Sequence, residues 1–374
     1  MILIPIAHRS SRAGSIACSP LMRNIFGVGL IAWVGSVLAV AQTAAPASAP
    51  TPAATTALAS APTTATAPSS DWTRIAVPPG PSLRFITAMA FDEARGNTVL
   101  FGGDVPRVGV IGETWTWDGK TWQRHPGPEP EPRYGHVMAY DPERKNVVLF
   151  GGYDRGKKIW LPETWIWDGA AWTKHAVAGP SPRRNPAFTY NRGRRAVMLW
   201  GGFGENPDGS EIFLQDTWEW NGTEWKQLAT DGPPPAYGSE MAYDHAARRL
   251  LLFGGNDHSN NVYNHTWRWT KDGWLKIETT GGPAPRGGAQ LLFNPRTQRV
   301  HLYGGFSPGE GGRNLKVHLD EWSWNGTAWE EVKDPTQPPL VFPKMIYDSA
   351  RNRLVYFGPR TFQSQESEVW EKQP

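Results

Sequence analysis

The chain has 374 residues, 39% apolar and 12% aromatic, with 40 Gly, 34 Pro, 20 Trp and one Cys. One cysteine excludes a disulfide-stapled scaffold, and Gly plus Pro at about a fifth of the chain, without a Gly-X-Y period, excludes collagen-like packing and wholesale disorder. Residues 1–70 hold Arg9, Arg12 and Arg23 and no acid, so 71–374 balances 35 basic against 35 acidic side chains and offers no bulk charge for nucleic acid.

From Ile25 to Ala41 the chain runs 17 residues without charge, preceded by Arg23 and ending in Ala39-Val40-Ala41. A basic n-region, an apolar h-region and a small-x-small site make residues 1–41 a signal peptide, with an uncleaved membrane anchor as the other reading. Met22 is a second candidate start beside Met1. Cleavage after Ala41 would leave no cysteine, hence no thiol nucleophile or thiolate ligand. The protein is therefore expected to be exported, periplasmic or extracellular. Residues 42–70 are nearly all Ala, Pro, Thr and Ser and read as a disordered linker.

Residues 71–374 repeat one unit six times. A Gly-Gly pair follows an apolar run at Gly102, Gly151, Gly201, Gly254 and Gly304, with a worn copy at Gly358, spaced 49, 50, 53, 50 and 54 residues apart. About ten residues before each lies an aromatic followed by Asp or Asn, from Phe91-Asp92 to Tyr347-Asp348. Each unit parses into four short strands, a to d. Tight turns join a to b, variable loops join b to c, and Asp-Gly or Asn-Gly joins c to d.

Taking Asp118-Gly119 as a two-residue turn sets Trp115 opposite Trp122, and the spacing recurs in Trp165/Trp172, Trp218/Trp225, Trp267/Trp274 and Trp322/Trp329. Seventeen of the 20 Trp belong to this pattern or to the terminal strands, so indoles are expected to pack sheet on sheet. The segment at Trp72 looks like a strand d without its c, and the segment at Trp370 like a c without its d. Side by side they complete a sixth sheet and close a ring.

The Gly-Gly pairs, the acid opening strand c (Glu113, Glu163, Asp216, Asp320, Glu368), the Trp of strands c and d and the Pro-Arg steps, fullest in Pro132-Arg133-Tyr134-Gly135-His136, make 71–374 resemble the kelch-repeat family. The resemblance implies an all-β, six-bladed propeller closed by its N-terminal strand. It leaves activity open, because such propellers serve as ligand or protein platforms, sugar oxidases and epimerases. The propeller is galactose-oxidase-like, but the Cys-Tyr copper site of that family has no cysteine here, so no cofactor is expected. No Walker loop or His-Glu-x-x-His occurs, no metal triad is recognisable, and Gly305-Phe306-Ser307-Pro308-Gly309 lacks the helix a nucleophile elbow needs.

The variable b–c loops, 104–112, 203–215, 256–264 and 306–319, place a binding surface on the face they share with the d–a connections. Arg84, Arg133, Arg183 and Arg286 enter strand a at equivalent positions and admit two readings: a guanidinium ring for a carboxylate or sulfate, or structural pairs with the strand c acids. Asp257, His258 and His265 in the fourth loop, with His136 and His318, suit a hydroxyl-rich ligand. The sequence thus points to a binding module for carbohydrate or protein. The alternative is a carbohydrate-active enzyme, an epimerase, mutarotase or lyase, with its site at the channel mouth.

Overall fold

The computed structural model describes residues 72–76, 79–257, 259, 261–309, 315–333, 344–359, 364 and 366–374. The expected signal peptide and linker lie outside these residues, as does His258. The described chain is all-β and contains no helix.

Six antiparallel sheets form the blades of a propeller. Blade 1 runs through Ala88–Asp92, Asn97–Val105, Gly109–Trp117 and Trp122–His125, and blade 2 through Val137–Asp141, Asn146–Phe150, Thr164–Trp167 and Trp172–His175. Blade 3 comprises Ala187–Asn191, Ala196–Glu205, Glu211–Trp220 and Trp225–Ala229, with the short strand Arg183–Arg184 added to it. Blade 4 comprises Glu240–Asp244, Arg249–Phe253, Thr266–Thr270 and Gly273–Ile277; blade 5 comprises Gln290–Asn294, Arg299–Tyr303, Glu321–Trp324 and Trp329–Val332. Blade 6 joins Lys344–Asp348, Arg353–Gly358 and Glu368–Lys372 to Trp72–Ile75, which pairs antiparallel with Glu368–Lys372. The two ends of the propeller therefore close the ring, and closure leaves only short strand edges. The a strands pack in sequence around it, first on second through to sixth on first.

Each interface between blades has its own apolar cluster, such as Phe150, Val148, Trp220 and Trp225 between blades 2 and 3. The indole register differs from the sequence expectation. Trp117 faces Trp122, Trp167 faces Trp172, Trp220 faces Trp225, Trp269 faces Trp274 and Trp324 faces Trp329. The reason is the turn: Asp118 accepts hydrogen bonds from the amides of Lys120 and Thr121 at 2.7 Å, which makes a four-residue loop with Gly119 at φ 95°. In blade 4 the loop is Lys271-Asp272, with Thr270 facing Gly273. The five indole pairs sit 5.2–5.5 Å apart between ring centroids, each worth about 0.5–1.5 kcal/mol beyond burial.

In blades 2 to 5 the strand d Trp also latches the blade to the one before it. Trp172 Nε1 donates to Thr114 Oγ1, Trp225 to Thr164, Trp274 to Thr217 and Trp329 to Thr266, at 2.8–2.9 Å. At the closing interface the same position holds Glu321, bonded to His301 at 2.6 Å and 3.9 Å from Lys372, whose ammonium lies over Trp72.

Two expected loops are largely strand. Residues 104–112 and 203–215 continue strands b and c as long ribbons beyond a bulge at the Gly-Gly pair. Both glycines of a pair have positive φ, and a Cβ on Gly151 would lie 2.5 Å from the Arg183 carbonyl of the next blade. Only glycine permits that approach.

Candidate functional site

The segment entering each strand a bridges to the segment leaving the same blade's Gly-Gly pair, as in Phe85 with Asp104, Tyr134 with Tyr153 and Tyr237 with Asn256. The d–a and b–c connections therefore share one face. On it the four arginines are buried, with side chains at 0% exposure. Each makes the same three attachments. Arg183 donates from Nε to the Ser181 carbonyl, from Nη1 to the Gly201 carbonyl, and bidentately to Asp216 at 2.6 and 3.0 Å. Arg286 repeats the pattern on Asp320, while Arg84 and Arg133 make both carbonyl bonds but reach Glu113 and Glu163 through Nη2 alone. Blade 4 carries Ala236 where these four blades carry the arginine and His265 where they carry the acid, whereas blade 6 has Leu340 at the arginine position and keeps Glu368, which pairs with Arg74 instead. Of the two readings, the geometry favours the clamp over the open guanidinium ring.

The other sequence candidates are dispersed. Asp257 accepts from the amides of Ser259 and Asn261, the Asn261 side chain and the Tyr263 hydroxyl, and so organises its own loop. Those bonds hold its pKa below the usual carboxylate range, against the pull of burial. His265 stacks on Tyr263 with ring centroids 5.3 Å apart, and burial lowers its pKa. His318 Nε2 lies 2.9 Å from Ser307 Oγ, a contact inside the Gly-x-Ser-x-Gly segment that sequence reasoning missed. Burial, with Arg286 nearby, pushes the His318 pKa down to about 4, so it is a poor general base, and Ser307 sits on a hairpin strand rather than at an elbow. Among the described residues no three His, Cys, Asp or Glu are placed to hold a metal.

His136 alone among these candidates lines the central channel, where a cavity of about 230 Å³ opens between the a strands. It is 3% exposed, and neither ring nitrogen has a hydrogen-bond partner. The Phe101 backbone acts weakly on the ring, favouring its charged form, while the same carbonyl accepts the Thr87 hydroxyl at 2.7 Å. Burial first, then the positive charges of Arg133 and Lys344, hold the imidazole neutral well below its ordinary pKa.

Around the same mouth, the first residue of strand a reads Ala88, Val137 and Ala187 in blades 1–3, then Glu240, Gln290 and Lys344 in blades 4–6. Half of the ring is apolar and half polar. Gln290 Nε2 donates to Glu240 Oε1 at 2.9 Å, and Gln290 Oε1 accepts the Met345 amide at 3.2 Å, so the glutamine fixes the glutamate to the next blade. Burial pushes the Glu240 pKa up to about 7, against the attraction of Lys344 and the bond from Gln290. The Lys344 ammonium makes no ion pair or hydrogen bond among the described residues. None of these three was singled out from the sequence. The signal was there in the six aligned strand starts, where three consecutive blades turn polar at one position.

A second cavity of about 490 Å³, bordered by Gly80, Trp122, Phe357 and Ser367, adjoins residues outside the described set and gathers no comparable group of polar side chains. No family model matches the chain, and no curated protein matches it.

Proposed function

We propose that this propeller is a kelch-type binding module that takes a saccharide at the channel mouth, on the face of the long b–c connections. The observation that carries the reading is the half-polar ring over a cavity. Glu240, Gln290 and Lys344 form one arc, unpartnered His136 stands near it, and Ala88, Val137 and Pro186 offer an apolar wall opposite. A sugar ring presents the same division into hydroxyl edge and C–H face, and a small number of placed polar groups in an apolar concavity is how small-ligand sites are built. The clamp arginines hold the rigid frame behind that mouth. The enzymatic alternative needs Arg133 and the fourth-loop histidines beside His136; Arg133 is committed to Glu131, Glu163 and Gly151, and His265 lies outside the channel lining.

The leader fits delivery of this module outside the cytoplasm, and N-terminal sequencing of the mature protein is expected to begin at Gln42. The binding reading is tested by screening the full chain on a glycan array. At least one saccharide class should be retained, and Lys344→Gln should abolish that retention at unchanged melting temperature. Retention of no saccharide, or retention indifferent to changes at Glu240 and Lys344, would overturn it.

A further inference from the structure

We infer that the channel mouth is a proton-linked carboxylate site: it takes a small sugar acid, whose carboxylate sits between the Lys344 ammonium and the Glu240 carboxyl in its protonated form, while His136 meets a hydroxyl. This deepens the saccharide reading above and rests on it.

Charge comes first. Lys344 lines the half-open channel cavity with no ion pair or hydrogen bond among the described residues; Glu240 is the lining carboxylate it attracts, and while Glu240 is protonated the ammonium is left to an anion from outside. Among the described residues Glu240 is the only carboxylate lining that cavity. In its ionised form it would repel a ligand carboxylate; protonated, it becomes a donor, and a carboxyl kept neutral by its site can hydrogen-bond an anion. Its Oε1 is held by Gln290, so the group is oriented before any ligand arrives.

The groups packed around Glu240 leave this the one titration at the mouth near neutral pH. On neighbouring strands, Ala187 and Gln290 do not ionise, and Tyr190 titrates at about 12. Asp244 and Arg249 lie at the opposite end of blade 4, facing each other in register. On the adjacent strand Arg299–Tyr303, His301 is bonded to Glu321 and Arg299 to Glu330. His136 stays neutral and, with both nitrogens open, can donate one bond and accept another.

Size limits the ligand. At about 30 Å³ per water, 230 Å³ holds roughly seven or eight waters, which suits a monosaccharide or smaller acid rather than a chain segment.

The test compares glucuronate with glucose, which differ only in carboxylate against hydroxymethyl, by titration calorimetry on the full chain at pH 6 and pH 8. Glucuronate should bind about tenfold more tightly at pH 6, because a site that must be protonated with a midpoint near 7 loses about that factor over the interval. Runs in buffers of different ionisation heat should show uptake of close to one proton at pH 8 and close to none at pH 6. Glu240→Gln should keep glucuronate binding and remove its pH dependence, and Lys344→Gln should abolish it. Glucose binding as tightly as glucuronate at both pH values overturns this inference and leaves the saccharide reading standing. Binding of neither sugar, with no other saccharide retained on the array, overturns both. Tighter binding at pH 8 overturns the proton linkage; should Lys344→Gln fail to fold, the wild-type comparison and Glu240→Gln still decide.

Discussion

The interface between blades 2 and 3 and the closing interface between blades 5 and 6 use the same architecture with opposite chemistry. In the first, the strand d indole of Trp225 donates to a threonine hydroxyl and packs tilted against Trp220. In the second, Glu321 stands in place of the threonine and Lys372 in place of the inner tryptophan, so that His301, Glu321 and Lys372 form a buried polar cluster under Trp72. Contacts that form between neighbours in sequence rest on a neutral hydrogen bond. The junction between the two ends of the ring rests on charge, whose removal is far more costly because it leaves an uncompensated group buried. The joint of lowest sequence proximity should therefore also be the least tolerant of substitution.

Substitutions at the two kinds of interface measure the contrast. Glu321→Ala should destabilise by about 3–5 kcal/mol in denaturant unfolding, since it strips partners from His301 and Lys372 together. A cost no larger than that of a threonine latch would dissolve the distinction. Arg183→Ala should cost about 3 kcal/mol by leaving Asp216 unpaired, which would show that ordinary blades also hold one buried charge pair.

The channel wall offers a titrating counterpart. Because the folded pKa of Glu240 lies above its unfolded value, the native state holds the extra proton between about pH 4.5 and 7, and stability falls as pH rises through that window. The loss is on the order of 1–3 kcal/mol once channel water screens part of it. Histidines with lowered values, His136 and His318, act in the other direction and lose stability as pH falls below about 6.5. Glu240→Gln isolates the first effect: the difference between variant and parent stability should change across that window and be flat above pH 8. Smallest of all, Thr164→Ala should cost about 1–2 kcal/mol, the penalty for leaving the Trp225 indole N–H buried without an acceptor.

The blades and their closure were legible because turn chemistry repeats. The aromatic followed by Asp or Asn recurs in six units, the Gly-Gly pair and the Trp spacing in five, and a strand d lacking its c has one place to go. The indole register was misread because Asp-Gly was counted as the whole loop, whereas the Asp118 carboxylate draws Lys120 and Thr121 into the turn as well. Both roles of the arginines were visible in the sequence, and burial separated them. The channel mouth was hidden for a different reason. Glu240, Gln290 and Lys344 belong to no motif and repeat nothing; they matter because three adjacent strands bring one position to one rim, which is a property of the ring and not of any unit.

Closure also dictates an order of events. Trp72 pairs with Lys372 across about 300 residues of chain. The strand that emerges first during synthesis finds its sheet only when the last has been made, so five blades can assemble from local contacts while the sixth waits on the slowest loop to close. A circular permutant that moves 72–76 behind Pro374 would turn this long-range step into an ordinary hairpin, and faster refolding to the same final stability is the result to look for.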